Sequence, residues 1–244
     1  MNNFKYSEIE SRRFGKEIFR GNMDVLEIAT LEKFYEHNDP DVLIVRIPVA
    51  EQHKMHQLNS LNKEIINADT LVYYHVGLDT TVHNPIRNEG LVFVSASSEH
   101  KSVFEQLVPK IFNNYTNHYF SNPVLDKQKI TEGYTEWAIN AIDAPGSFPV
   151  LAYVDNVPVA FITCSYNDNS AEIILNGVLP GYEGRGIYTD LIRYVKKHFS
   201  GMNIPLLKVS TQIQNFAVQK VWNKEGFILN EAFVTIHLNK KQSL

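Results

Sequence analysis

The stretch NGVLPGYEGRGIY, residues 176–188, decides how the rest of the chain is read. It joins the end of an apolar run (171–178) to a segment in which Ile187, Leu191, Val195 and Phe199 recur at helical spacing. A strand entering a helix through a glycine-rich turn can aim several backbone N–H groups at one anion, with the positive end of the helix dipole behind them. Gly184 and Gly186 let the backbone approach a pyrophosphate that a Cβ would hold away. A Gly-x-Gly pair also serves any tight strand-to-helix turn, so alone it does not separate a ligand site from a plain turn. The nicotinamide fingerprint fits poorly, because the preceding strands read as antiparallel and no βαβ repeat follows. The apolar stripe of the helix reads as core.

Working towards the C-terminus, Thr211 is followed by Asn215, Val218, Trp222, Gly226 and Phe227, with spacings of 3, 4, 4 and 1 from Asn215 onward. Val218 and Trp222 share a helical face, and Gly226 can supply the left-handed residue that ends the helix. Taken alone, this is a helix packed on a sheet with an ordinary stop.

Working towards the N-terminus, three antiparallel strands are predicted at 149–154, 158–166 and 171–178, joined by the turns DNV and NDNS. Before them come a strand at 91–94, a helix at 101–112 that contains Pro109, an aromatic loop at 115–124 and a helix at 130–142. After them come a helix at 187–199, a strand at 206–211, a helix at 215–225 and a strand at 227–238. In the first third, 41–49 and 68–77 read as strands. Between them, 51–67 reads as a helix through Met55, Leu58, Leu61, Ile65 and Ile66. That order favours a parallel pair with a right-handed crossover. Pro85 and Gly90 break the periodicity at 79–90, which divides the chain into an α/β unit (1–85) and a second domain (88–244).

With 44% hydrophobic and 20% charged residues among 244, the chain can bury a core and is not expected to be disordered. A net charge of −4 gives no basic surface for nucleic acid. The single cysteine, Cys164, excludes a disulfide framework and a cysteine-rich zinc site, and it reads as a buried strand residue. His53 and His56 lack a third ligand nearby in sequence, so no metal is expected. No signal-peptide core and no apolar stretch of membrane-spanning length is present, which predicts a cytoplasmic protein with no membrane insertion.

Residues 176–227 resemble the two diagnostic motifs of the GNAT superfamily of N-acyltransferases, through Val178, Pro180, Gly184, Gly186, Asn215, Val218, Gly226 and Phe227. The resemblance implies an α/β GNAT fold with a mixed central sheet, preceded here by the smaller N-terminal α/β unit. It also implies acyl-CoA as co-substrate, with no permanently bound cofactor. Pantetheine would lie along the strand 171–178, and pyrophosphate on the loop. The implied acyl-CoA residues are Val178, Tyr182, Glu183, Gly184, Arg185, Gly186, Ile187, Asn215 and Trp222. The thioester carbonyl would be polarised by a backbone N–H such as that of Val178. Two positions depart from the pattern. Gly181 stands where the family carries Gln or Arg. Trp222 stands where many members place a tyrosine that protonates the leaving thiolate, and an indole is no acid at this pH.

More loosely, the whole chain resembles the dTDP-amino-deoxysugar N-acyltransferases of surface-polysaccharide and lipopolysaccharide O-antigen biosynthesis, the dTDP-fucosamine acetyltransferases among them. The shared segments are RRFGKE (12–17), DTLV (69–72), HYFSNP (118–123) and YTEW (134–137). This resemblance implies a dTDP-linked 3-amino- or 4-amino-deoxyhexose as acceptor, bound by Arg12, Arg13, Phe14, His118, Tyr119, Tyr134 and Trp137. Aromatic side chains can stack on a base or a sugar face, although ordinary core packing would use them equally well. No side chain stands out as catalytic; Asn176 and His118 are the candidates for holding the amine. Acetyl and a larger acyl group such as 3-hydroxybutyryl both fit. A protein or polyamine amine as acceptor, a non-catalytic acyl-CoA-binding module, and use of the N-terminal unit as a homodimer contact stay open.

Overall fold

The computed structural model describes residues 4–78 and 84–241, so part of the expected boundary at 79–90 lies outside the described residues. In chain order the elements begin with β1 (Lys5–Tyr6), α1 (Glu8–Phe14), β2 (Ile18–Asn22), α2 (Ile28–Tyr35), β3 (Val42–Pro48), a 3-10 stretch (Val49–Leu61) and β4 (Glu64–Gly77). There follow β5 (Leu91–Ser95), α3 (Lys101–Phe112), a 3-10 turn (His118–Ser121), α4 (Gln128–Asn140), β6 (Ser147–Val154), β7 (Val157–Tyr166) and β8 (Ala171–Val178). The chain closes with α5 (Ile187–Gly201), β9 (Leu206–Gln212), α6 (Phe216–Lys224) and β10 (Ile228–Asn239). The fold is mixed α/β.

Two compact units emerge: residues 1–72, 116–130 and 231–244 form one, and 73–115 with 131–230 the other. The chain therefore passes between units more than once, where the sequence suggested a single boundary. Hydrogen bonds explain why. Ser121 Oγ donates to Ala68 O at 2.7 Å, and Asn122 Nδ2 to Asn239 Oδ1 at 2.9 Å, which keeps 116–130 with both the N-terminal and the C-terminal segments of the first unit.

In the first unit the strand order is β1-β2-β3-β10-β4. β2 is parallel to β3, and β10 runs antiparallel to β3 from Phe233↔Pro48 to Asn239↔Val42. The expected pairing of β3 with β4 is not formed, because β10 lies between them. Residues 234–239 are all at most 1% exposed, the burial of an interior strand. Thr235, His237 and Asn239 are buried along with the apolar residues between them. The helix expected over 51–67 is a 3-10 stretch that ends at Asn62, and Ile65 and Ile66 belong to β4. Met55, Leu58 and Leu61 pack on the core at intervals of three, the repeat of a 3-10 turn.

The second unit carries the end of β4 and the order β9-β8-β7-β6-β5. β5 to β8 form an antiparallel meander, and β8 pairs with β9 in parallel. Helices α3 and α4 cover Leu151, Phe161 and Leu175. Pro109 is accommodated inside α3. Gly177 is what lets α3 approach β8: a Cβ there would stand 2.3 Å from Ile111 Cγ2. Cys164 is 1% exposed on β7, and burial pushes its thiol pKa up, as expected of a packing residue.

Candidate functional site

The site in the second unit begins with a defect in β8. The β7–β8 ladder runs from Ala160↔Val178 to Thr163↔Leu175 and resumes at Cys164↔Ile173, so Ile174 is an inserted residue and the strand bulges there. Buried Thr163 holds the bulge: its hydroxyl accepts from Leu175 N–H at 3.2 Å and donates to Leu175 O at 3.5 Å. On the other side, β8 and β9 pair only at Ala171↔Leu207, Glu172↔Lys208 and Ile173↔Val209. Beyond Ile173 the parallel strands part. Leu175 N–H bonds to Thr163, and Leu179 N–H donates to Val159 O at 2.7 Å. By the alternation of a strand, the N–H and C=O groups of Asn176 and Val178 then face the parted side. Such an edge is what an extended, amide-bearing chain uses when it adds itself as a strand.

The turn after β8 has three left-handed residues, Gly181 (φ 89°), Gly184 (φ 74°) and Gly186 (φ 79°). At Gly181 the left-handed backbone disfavours a side chain such as the family's Gln or Arg by about 1–2 kcal/mol. Tyr182 N–H donates to Leu179 O at 3.0 Å, and Arg185 Nη2 to Gly181 O at 2.7 Å. The Arg185 guanidinium lies 4.8 Å from the centre of the Tyr182 ring. Glu183 is exposed, Gly186 caps α5, and Ile187 is buried beneath it.

Asp190 anchors the helix start. It is 1% exposed and accepts from Arg87 N–H at 3.1 Å, Asn88 N–H at 2.9 Å and Asn88 Nδ2 at 2.6 Å. Arg193 continues the network, donating to Glu225 Oε1 at 2.7 and 2.9 Å and to Pro85 O at 2.8 Å. Residues 85–88 are thereby tied to the first turns of α5. Sequence reasoning missed this brace, whose signal was a pair of charges, Asp190 and Arg193, on the apolar side of an amphipathic helix.

Asn215 caps α6, and its Nδ2 donates to Thr211 Oγ1 at 3.0 Å, which locks the end of β9 to the helix. Trp222 is 1% exposed and lies edge-on to Tyr74 at 5.4 Å. Its Nε1–H donates to the Tyr188 hydroxyl at 2.9 Å. Tyr188, in the first turn of α5, was overlooked although it sits inside the quoted glycine stretch. Gly226 (φ 87°) ends α6, as expected.

The expected acceptor residues divide between the units. In the first, Phe14 is buried against Tyr119 at 5.3 Å, and Gly15 (φ 63°) ends α1. Tyr119 donates to Glu10, a buried carboxylate that also takes Arg20 Nη1 at 3.3 Å. Arg12 is exposed and Arg13 half-buried. Arg12, Lys16 and Tyr6 line a cleft of about 500 Å³ together with Glu8, Glu17 and Asp41. In the second unit Tyr134 stacks on Phe112 at 4.2 Å within the core, and Trp137 is 51% exposed on α4. Asn176 and His118 lie in different units.

His118 heads a buried polar chain whose direction can be read. Val124 N–H donates to Asn122 Oδ1 at 3.2 Å, which fixes the Asn122 amide. Asn122 Nδ2 then donates to His237 Nδ1 at 2.9 Å, so the His237 proton sits on Nε2 and points to His118 Nδ1 at 2.8 Å. His118 Nδ1 therefore accepts, and its own proton sits on Nε2. Its lone pair is already taken, which argues against a general base there. Burial lowers the pKa of both imidazoles, that of His237 to about 3, and the Arg46 and Arg20 charges add to the effect.

A bulged strand parting from its parallel neighbour, a left-handed glycine turn capping a helix and an Asn-capped helix ending on Gly-Phe all fall within one segment. The sequence profile of the acetyltransferase (GNAT) family matches residues 110–227. These residues form a GNAT acetyltransferase domain. The spore coat polysaccharide biosynthesis protein SpsD of Bacillus subtilis (strain 168) is 20% identical over 122 residues, which cover 50% of this chain and 42% of that protein. The match thus spans about two-fifths of the length of that curated relative. A functionally unknown conserved protein of Staphylococcus epidermidis shares the fold with a TM-score of 0.66 and 13% identity, over 99% of this chain and 92% of the other. A GCN5-related N-acetyltransferase of Sphaerobacter thermophilus gives a TM-score of 0.58 at 11% identity, over 88% and 66% of the two chains. The matched range takes in the β8 bulge and the glycine turn. No described helix is long and apolar enough to cross a membrane, and no cluster of three metal-ligating side chains occurs among the described residues.

Proposed function

We propose that this chain transfers an acyl group from acyl-CoA to the primary amine of a nucleotide-linked amino-deoxysugar, of the dTDP-linked 3-amino or 4-amino kind. The observation that carries the acyl-CoA half is the parting of β8 from β9 beyond Ile173, with the glycine turn at the end of the same strand. Pantetheine would lie along the backbone of β8, and the pyrophosphate would meet the N–H groups around Gly184–Ile187 at the α5 terminus. Val178 N–H would hold the oxyanion of the tetrahedral intermediate. The acceptor amine lies beside hydroxyl-bearing carbons and resembles an α-amino group, with a pKa of roughly 7.7–8.0, so a useful fraction is neutral near pH 7. It needs orientation more than a strong base.

The sugar half draws support from the likeness to SpsD, whose name places it in spore coat polysaccharide biosynthesis. Arg12 and Lys16 on the first-unit cleft are suited to a diphosphate, and Tyr6, 52% exposed, to a base. The three carboxylates of that cleft are set against two cations, short of the strongly acidic groove a polyamine would require. The proposed division of labour is an N-terminal acceptor unit and a GNAT catalytic domain, in a soluble cytoplasmic enzyme that binds acyl-CoA only as a co-substrate. Incubation with a panel of acyl-CoAs and dTDP-amino-sugars, followed by mass spectrometry, tests it. An acylated nucleotide sugar is expected; brisk acylation of peptides or polyamines with no sugar product would overturn the acceptor assignment.

A further inference from the structure

The Tyr188 hydroxyl has one hydrogen bond too few. An indole N–H can only donate, so at 2.9 Å Trp222 Nε1 obliges the Tyr188 oxygen to accept. The phenol's own proton then needs an acceptor, and no hydrogen bond from it to another described residue is found. The group is well placed for a ligand. Tyr188 belongs to the first turn of α5, directly after the glycine turn. Its electrostatic neighbour Tyr115 donates to Gln212, the last residue of β9, and Trp222 lies on α6. The hydroxyl thus stands among the elements that border the parted end of β8 and β9.

We propose that Tyr188 is a catalytic hydrogen-bond donor to the thioester sulfur, aimed by Trp222 as a positioning residue. The inference rests on the acyl-CoA reading of this site. In the reaction the amine nitrogen bonds to the thioester carbon, the oxyanion re-forms the carbonyl, and the C–S bond breaks. The sulfur leaves as a thiolate and accepts the Tyr188 hydrogen bond. The proton lost by the amine reaches the sulfur through water, so Tyr188 ends each turnover as it began. It acts as a fixed dipole: burial raises its pKa, while a thiol titrates near about 8.5, so the phenol keeps its proton.

The test is calorimetry with CoA and with desulfo-CoA, alongside steady-state kinetics, on the full chain. The native protein should bind CoA about tenfold more tightly than desulfo-CoA, and Tyr188→Phe should bind both alike. Tyr188→Phe should lower kcat by roughly a hundredfold with little change in KM for acyl-CoA and no new limb in the pH profile, the scale of losing one preorganised donor. Trp222→Phe, which leaves the phenol but releases it, should lower kcat by a smaller factor. Equal CoA preference in native and Tyr188→Phe proteins, or an unchanged kcat, would overturn the proposal. A loss of affinity for CoA and desulfo-CoA together would mark Tyr188 as structural only and overturn it too. Failure of the native protein to bind CoA at all would instead bring down the acyl-CoA reading, and this inference with it.

Discussion

Single residues decide the turn and the bulge. Gly184 holds φ 74° with open space where a Cβ would stand, so Gly184→Ala meets backbone strain and no clash. That strain is worth about 1–2 kcal/mol. The expected outcome is a fold that survives with CoA affinity at least tenfold weaker by calorimetry; an unchanged affinity would remove the turn from the site. Thr163→Val keeps the shape of the side chain but strips the hydroxyl from the buried Leu175 backbone. It should cost about 1–3 kcal/mol in denaturant unfolding. Unaltered stability would mean that the bulge stands without Thr163. The glycines and the Asn215–Phe227 spacing were legible because each marks a backbone requirement. Thr163 and Tyr188 were not, since a threonine in a strand and a tyrosine in a helix carry no local signal of what they bond to.

At the scale of elements, every strand and helix expected from residue 91 onward is present within a few residues, because alternation and helical spacing there follow burial. The N-terminal unit was read less well. The 3-10 stretch Val49–Leu61 mimicked a helix, and β10 entered between β3 and β4 from the far end of the chain, a pairing that local pattern cannot announce. The packing of α3 on β8 is an element-scale claim with its own test. Gly177→Ala forces a Cβ to 2.3 Å from Ile111 Cγ2 and should destabilise the fold by about 1–3 kcal/mol. Ile111→Ala in the same chain should restore part of that loss. If the two substitutions simply add in thermal unfolding, the contact is not what glycine serves.

For the whole molecule, the buried histidines tie stability to pH. Unfolded, His118 and His237 titrate near about 6.5. Folded, both pKa values lie lower, that of His237 at about 3. The unfolded chain therefore binds protons first as pH falls. The stabilisation is complete above about pH 6.5 and is lost progressively towards pH 3, by about 1.4 kcal/mol per pH unit for each fully responding histidine. Urea midpoints at pH 7.5 and pH 5.0 should differ accordingly, and His237→Gln should reduce the difference. Equal midpoints for the native protein would contradict the buried neutral pair. The acceptor assignment belongs to this scale as well: dTDP alone should bind in the micromolar to millimolar range, and Arg12→Ala should weaken it. Saturation measurements that find no dTDP binding would leave the GNAT domain without a nucleotide-sugar partner.

The central claim is that acyl-CoA lies along the parted edge of β8 with its pyrophosphate on the glycine turn. Amide hydrogen exchange with and without acetyl-CoA tests it most directly, because the ligand should bond the very N–H groups that exchange. The account predicts slowed exchange concentrated at Asn176, Val178 and the amides of 184–188, saturating with ligand concentration. Saturable binding with protection elsewhere, and none in 174–188, would contradict it.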